Sequence, residues 1–581
     1  MSKNLVVCGN IKDNYFKNNK NIYALGEWCL IKNKIYNYKL RKRIKVLKYH
    51  WEDKKKLGKD YVYLNNLFEK ILKELSDSLN NFHNFKKSNM YWRILLSPWL
   101  MDYIATMYDR WSLLDKRIVN NFSSITMLEY KYKKNRILDY SDFLKASYDD
   151  VWNSKILHDI IKYKKIKKKV YFLKPFREKK KHKFSLHLYF LSSLNFFLKR
   201  SIYKLIGLLI NKKIIVKSMN FKLSSYLYFS LSNKKFIFDN LFFNIFLDHK
   251  FKNKKVNKKK IQLNYKCKND FENYLVSKIV SDIPLAYTDN LRFFIKNLPN
   301  YIPDKIFTAN DHYWNEFFKI FMAECYLKNT KIYITEHGGS ILSKHRIFDF
   351  EEKISFKKLT WCKPFQKNQI QIQSPKYINI NKNSKKLKKR ILILFSSFNT
   401  YTQRCRCGPM ASKWKKDFDQ KFNLLREIIN DSEISNNIQI SVRPGKEGWG
   451  NKELITTNFK KDIISKYENS LDDIKNSDLV ICPYPETSFS DCVMTGTPAL
   501  LLYRKSDWQF KGQFLELVKN FEKNNLLFYD YNSAFNHIKK ITHNPYKWWN
   551  LKNIKKSIKN FNKICCQENS DWKKDWLKIL E

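Results

Sequence analysis

Glycine is scarce in this chain, at 12 residues in 581, and proline is nearly as rare at 13. No G-x-G-x-x-G turn and no G-x-x-x-x-G-K-[ST] loop can be found, which argues against a dinucleotide oxidoreductase and a P-loop ATPase. The eleven cysteines lack metal-site spacing: Cys405-x-Cys407 and Cys565-Cys566 have no second C-x-x-C or His pair, so zinc is not expected. Long apolar runs are missing as well. The most hydrophobic stretch, Phe184 to Ile215, is broken by Lys199, Arg200, Lys204 and Lys212, short of the roughly 18 uncharged residues a spanning helix needs. Met1 to Asn10 carries only a short apolar run, so no secretory signal is expected. The expectation is a cytosolic protein with reduced cysteines, able to rest on the inner face of a plasma membrane.

Acidic residues are outnumbered, 54 against 111 basic ones, giving a formal charge of +57. Such a balance points first to a polyanion partner. Arginine, however, contributes only 16 of the cations against 95 lysines, and the lysines are spread along the whole chain beside abundant Asn, Ile, Tyr and Phe. A/T-rich coding produces that vocabulary, whereas nucleic-acid readers concentrate Arg for bidentate contacts. The charge is read as background, and no specific nucleic-acid partner is expected. Against that background an Arg or a Gly marks a place that requires planar geometry or positive φ.

Apolar residues at 44% support globular cores, and the length supports more than one. Strands are expected at Leu5–Cys8 and Ile22–Leu25, then long helices over Tyr61–Leu79 and Tyr91–Leu114, the second bent near Pro98. A Lys-dense connector (Lys162–Lys183) precedes strands at Lys213–Val216, Lys235–Phe238, Lys305–Ala309 and Lys331–Thr335, with a helix over Tyr313–Lys328. After a polar run the rhythm resumes, with strands at Ile391–Phe395, Ile438–Val442, Leu479–Cys482 and Ala499–Tyr503. Helices fall near Lys416–Asn430, Leu471–Asn476, Ser488–Thr495 and Tyr531–Ile541. Alternating strands and helices predict an α/β fold of parallel sheets, two Rossmann-like domains facing a cleft with helical N-terminal additions. The expected divisions are 1–160, an α/β region with long helices; 161–378, the rest of the N-terminal Rossmann-like domain; 379–389, a linker; and 390–581, the C-terminal Rossmann-like domain.

Three segments carry chemistry. In Ile332-Tyr-Ile-Thr-Glu-His-Gly-Gly-Ser340 a strand runs into Glu336, His337, Gly338 and Gly339. Two adjacent glycines permit close approach to a phosphate, and His337 beside Glu336 is placed as general base or phosphate contact. In Ser441-Val-Arg-Pro-Gly-Lys-Glu-Gly-Trp-Gly450, Arg443 and Lys446 could clamp a diphosphate; a surface turn is the plainer reading. In Ser477–Ala499 a buried strand ends at Cys482, Thr487-Ser488 caps a short helix bearing Asp491, and Gly496-Thr-Pro498 ends it. Hydroxyls and free N–H groups at a helix start make an anion site, and Asp491 could accept from a sugar hydroxyl.

That third segment resembles the donor-site signature of GT-B-fold glycosyltransferases and glycerophosphotransferases. Five further segments occur in order: ALGEWCL (Ala24–Leu30), YWRILLSPWL (Tyr91–Leu100), ITEHGGS (Ile334–Ser340), EEKISFKKLTW (Glu351–Trp361) and SSFNTYTQRCRCGPM (Ser396–Met410). The ordered set resembles a leptospiral-type family of transferases linked to O-antigen and surface-polysaccharide gene clusters. It departs from that family at Ile341–His345, where an aromatic and a glycine are usual, and at Asp491, where Glu is commoner. The resemblance implies transfer of a sugar from a nucleotide-activated donor to a glycan or lipid-linked glycan acceptor, with no cofactor and no bound metal. It also implies His337 and Glu336 on the acceptor side, and donor contacts from Gly338, Gly339, Arg404, Arg406, Arg443, Lys446, Thr487, Ser488 and Asp491. An alditol-phosphate transferase, a basic nucleic-acid or membrane-surface binder, and a catalytically silent scaffold are the alternatives.

Overall fold

A computed structural model describes residues 3–130, 137–176, 214–233, 261–299, 301–338, 342–346, 349–378, 380, 387–445, 448–459, 461–569 and 571–581. The expected strand Lys235–Phe238, most of the Phe184–Ile215 stretch, and Gly339 and Lys446 lie outside them.

Three five-stranded sheets organise the chain, and every strand pair in them is parallel. The first sheet contains β1 (Asn4–Val6), β2 (Ile22–Ala24), β5 (Lys45–Val46), β6 (Ser124–Leu128) and β7 (Lys169–Leu173), in the order β5-β2-β1-β6-β7. A short antiparallel hairpin, β3 (Ile31–Lys32) with β4 (Ile35–Tyr36), leaves it after β2. The second sheet runs β12-β11-β10-β9-β8, from β8 (Ile214–Lys217), β9 (Lys305–Thr308), β10 (Lys331–Thr335), β11 (Lys357–Thr360) and β12 (Gln369–Gln371). The third runs β14-β13-β15-β16-β17, from β13 (Arg390–Leu394), β14 (Gln439–Arg443), β15 (Leu479–Cys482), β16 (Ala499–Leu502) and β17 (Leu527–Phe528). The α/β class expected from the sequence therefore holds, and the N-terminal region carries a complete parallel sheet of its own. Every residue of β13, β15 and β16 is buried, as parallel strands covered on both faces require.

Between the first two sheets runs the helix Asn89–Leu113, capped by Ser88 and continuous through Pro98. Eighteen of its 25 residues are buried, Trp92 and Trp99 fully, so its sequence is apolar all round rather than along one stripe. It packs on the helix Lys54–His83, whose cap Asp53 accepts from the N–H groups of Lys55 and Lys56. The Lys-rich connector contains an edge strand, β7, that the periodicity of the sequence did not signal. The last helix, Trp572–Leu580, does not stay with the third sheet. Trp572, Trp576 and Leu580 join Ile214, Val216, Phe307, Tyr333 and Leu359 in a second hydrophobic core on the second sheet. Among the described residues no helix is long and apolar enough to cross a membrane.

Candidate active site

The site grows from the C-terminal end of β10. Glu336 continues the ladder by one residue, its N–H donating to Leu359 O at 2.7 Å. The register pairs Ile334 with Lys358, so Lys358 and Glu336, two residues past Ile334, share a face of the sheet. Lys358 Nζ lies 4.0 Å from Glu336 Oε2, and the Arg346 guanidinium lies 3.4 Å from the same oxygen. Burial alone would raise the Glu336 carboxyl, but Lys358 and Arg346 hold it below the ordinary range. Further contacts extend this network: ion pairs of Lys358 with Glu351 and of Arg346 with Glu352 at 3.3 Å, and a hydrogen bond between Glu351 and His312 Nε2 at 2.8 Å, the imidazole held neutral by burial. All of these side chains are buried. Lys358 is depressed to about 7, by burial first and despite Glu336.

His337 comes next in the chain. Burial, with Lys358, Arg346 and Arg404 nearby, lowers it to about 4 against the opposing pull of Glu336. The imidazole is neutral at pH 7. Gly338 follows at φ +100°, where a built Cβ would collide with Thr487 Oγ1, so glycine is required twice over. That near-contact brings the histidine–glycine turn of the second sheet against the Thr487–Thr495 helix of the third.

The facing half begins where β15 ends. Tyr484 and Glu486 lead into the helix Thr487–Thr495, which stops at Gly496 in the left-handed conformation. Thr487 and Ser488, expected as caps, occupy the first helical turn; Glu486 is the N-cap and makes no side-chain capping bond. Among the described residues the N–H groups of Thr487 and Ser488 have no hydrogen-bond acceptor. A second seam reinforces the join: Lys344 N donates to Gln509 O and Lys511 N to Leu342 O, at 2.8 and 3.0 Å. Lys511 is lowered to about 8 by burial and by Arg346.

The third sheet's order reverses between β13 and β15, the topological switch point at which doubly wound sheets open a crevice. The loops after those two strands carry Arg404 and Arg406 on one side and Glu486–Ser488 on the other. Arg404 is held by Asp102 at 2.9 Å and by the hydroxyls of Tyr140 and Tyr313 at 3.0 and 2.7 Å. Arg406 is different. It is half-buried, stacks 5.3 Å from the Phe398 ring and has no carboxylate partner among the described residues. Burial, then Arg404, lowers its pKa.

Two expected donor residues are placed otherwise. Arg443, on the edge strand two places from β15, bonds Asp473 at 3.0 Å and the carbonyls of Tyr467 and Glu468, both at 2.9 Å. Asp491 is buried and held by Lys376 at 2.6 Å and the Tyr377 hydroxyl at 3.0 Å. Both carry structural bonds that a ligand would have to displace.

Glu336, His337 and Glu351 offer ligand atoms within 4.8 Å of one another, a spacing a metal ion could use. Lys358 Nζ lies at the same place, against Glu351 and 4.0 Å from Glu336. The sequence reading missed Arg346, Lys358, Glu351 and His312. Arg346 carried a signal as one of the 16 arginines in a lysine-dominated chain, and Glu351 and Lys358 lie in the EEKISFKKLTW segment, though nothing in it marked them as site residues.

The first sheet has its own switch point, between β1 and β6, and it is filled from within. Half-buried Asp150 is bonded there by Gly9 N at 3.1 Å and Tyr401 Oη at 2.6 Å, and loss of hydration raises it to about 6.

Parallel sheets with basic loops at a switch point define a doubly wound α/β protein, in which the histidine–glycine turn of the second sheet packs against the Thr487–Thr495 helix of the third. The chain belongs to the LIC12162 family transferases: the model of that family matches residues 4–580. It is therefore a transferase. No curated protein matches it.

Proposed function

We propose that this transferase moves a sugar from a nucleotide-activated donor to a surface-polysaccharide or O-antigen acceptor, in the manner of GT-B glycosyltransferases. The observation that carries the reading is the approach of Gly338 to Thr487 beside Arg406, whose guanidinium meets Met410 Sδ and the Phe398 ring but no carboxylate at ion-pair distance among the described residues. Open N–H groups at a helix start and an unpaired guanidinium are what a departing nucleoside diphosphate needs, because negative charge builds on it as the glycosidic bond breaks. Residues 390–581 would hold the donor through Arg406, Thr487 and Ser488, with Arg404, Gly338 and Gly339 at the edge of its phosphates. His337, on the 161–378 side, would accept the proton of the acceptor hydroxyl. Glu336 would orient it. A general base at about 4 is weak. Donor phosphates beside Arg404, one of the cations that depress it, would raise its basicity when the acceptor arrives.

A thermal-shift screen with CMP-, UDP-, GDP- and dTDP-sugars tests this. A true donor at 100 times its Kd should add about 2.7 kcal/mol of stability. No shift with any of them would remove the donor site and with it the reading.

A further inference from the structure

On the far side of the Lys54–His83 helix from the crevice lies a solvent-open groove of about 1460 Å³. The first turns of that helix separate the two places. Gly58 sits beside His345 and Tyr61 bonds Asp349, while Lys59, Asp60 and Tyr63 line the groove. The far wall comes from Asp115–Arg117, Lys162–Lys165 and the start of the Asp270–Asp282 helix.

Seven cations and three carboxylates line it, which in a lysine-rich protein would be unremarkable alone. What distinguishes them is which charges are already used. Asp60 is saturated by Lys56, the Trp51 indole and Tyr108, at 2.6, 2.7 and 2.8 Å. Asp115 holds Arg117 at 2.9 Å. Lys164 is bound to the carbonyls of Trp111 and Leu114 at 2.7 and 2.9 Å, with its ammonium 4.0 Å from the Trp111 ring centre. Lys59, Lys116, Lys162 and Lys165 remain exposed, with no acidic partner among the described residues. Trp111, Tyr108 and Tyr163 line the same groove; Lys164 and Lys56 lie over the first two rings, and Tyr163 is 40% exposed. Exposed Asn269 and Asp270 stand at the rim.

We propose that this groove binds an anionic glycan, a sugar polymer bearing spaced carboxylate or phosphate groups, and so holds the acceptor chain outside the catalytic crevice. The inference rests on the glycan-acceptor reading above. Spaced ammonium groups match spaced negative charges. Exposed Asp270 accepts from a sugar hydroxyl between those charges, and the exposed Tyr163 ring takes the apolar side of a pyranose. A nucleic-acid strand fits less well: its unbroken phosphates would meet Asp270, and the lone arginine is already paired.

The test measures binding of the full chain to three probes: an oligogalacturonate, a neutral dextran oligomer and an oligothymidylate of matched charge. Wild type is compared with a Lys59→Gln/Lys162→Gln/Lys165→Gln variant, and with Lys162→Glu alone should the triple variant melt early. Oligogalacturonate should bind and weaken roughly tenfold in the variant, with dextran unbound. The proposal falls if wild type ignores oligogalacturonate, if the variant binds it equally, or if dextran binds as well. Tighter, variant-sensitive binding of oligothymidylate would reassign the groove to nucleic acid. His337→Asn should leave groove binding unchanged. Groove binding with no nucleotide-sugar shift would sink the transfer reading and leave the groove standing.

Discussion

His337 is neutral at physiological pH because burial and three nearby cations outweigh Glu336. Two outcomes follow for the proposed base. His337→Ala should fold normally and abolish transfer, checked by far-UV circular dichroism and a product assay; retained turnover would reject the role. In wild type, kcat/KM should hold steady through neutral pH and fall about tenfold per unit below about 4, where the free-enzyme imidazole takes a proton. Gly338 works through space rather than chemistry. Gly338→Ala meets both the left-handed backbone and Thr487, so a loss of about 1–3 kcal/mol in urea unfolding is expected, together with weaker donor binding. Arg406→Ala should remove the nucleotide-sugar thermal shift while moving the urea midpoint only slightly, since Arg406 makes no ion pair at contact distance among the described residues.

At the scale of elements, strands with apolar runs and helices with a clear stripe were legible in the sequence. β10 and β15, and the helix Tyr531–Ile541, lie where periodicity puts them. β7 and β11 were not legible. Lys357–Thr360 reads KKLT, with two lysines and a single large apolar residue in four, and β7 is a mostly exposed edge strand with no buried face to read. The candidate site divides the same way. Glu336–Gly338 and Thr487–Ser488 stand at element ends in recognisable clusters, whereas Arg346, Glu351 and Lys358 meet only after the second sheet sets their register. The helix Trp572–Leu580 shows apolar spacing, but nothing in that spacing says which sheet it covers. Trp576→Ala should cost about 3–5 kcal/mol, read from urea unfolding, because the indole is fully buried and its N–H donates to Gln373 O.

For the whole molecule, pH should act on stability through its depressed histidines. His337 and His537 are both lowered to about 4, mainly by burial, while an unfolded histidine titrates near 6.5. Both are neutral in both states above 6.5, so their contribution is complete there. As pH falls towards 4 the unfolded chain takes up protons that the folded chain refuses, and stability drops by about 1.4 kcal/mol per group per unit. The urea midpoint should therefore decline between pH 6.5 and 4, and less steeply in His537→Gln.

The return of the terminal helix to the second sheet also decides how the protein comes apart. A protease cut between the second and third sheets would sever the backbone without releasing two pieces, because Trp572 and Trp576 rivet the later fragment into the earlier one. A nicked sample should run as one species on a sizing column and as two bands only in denaturant.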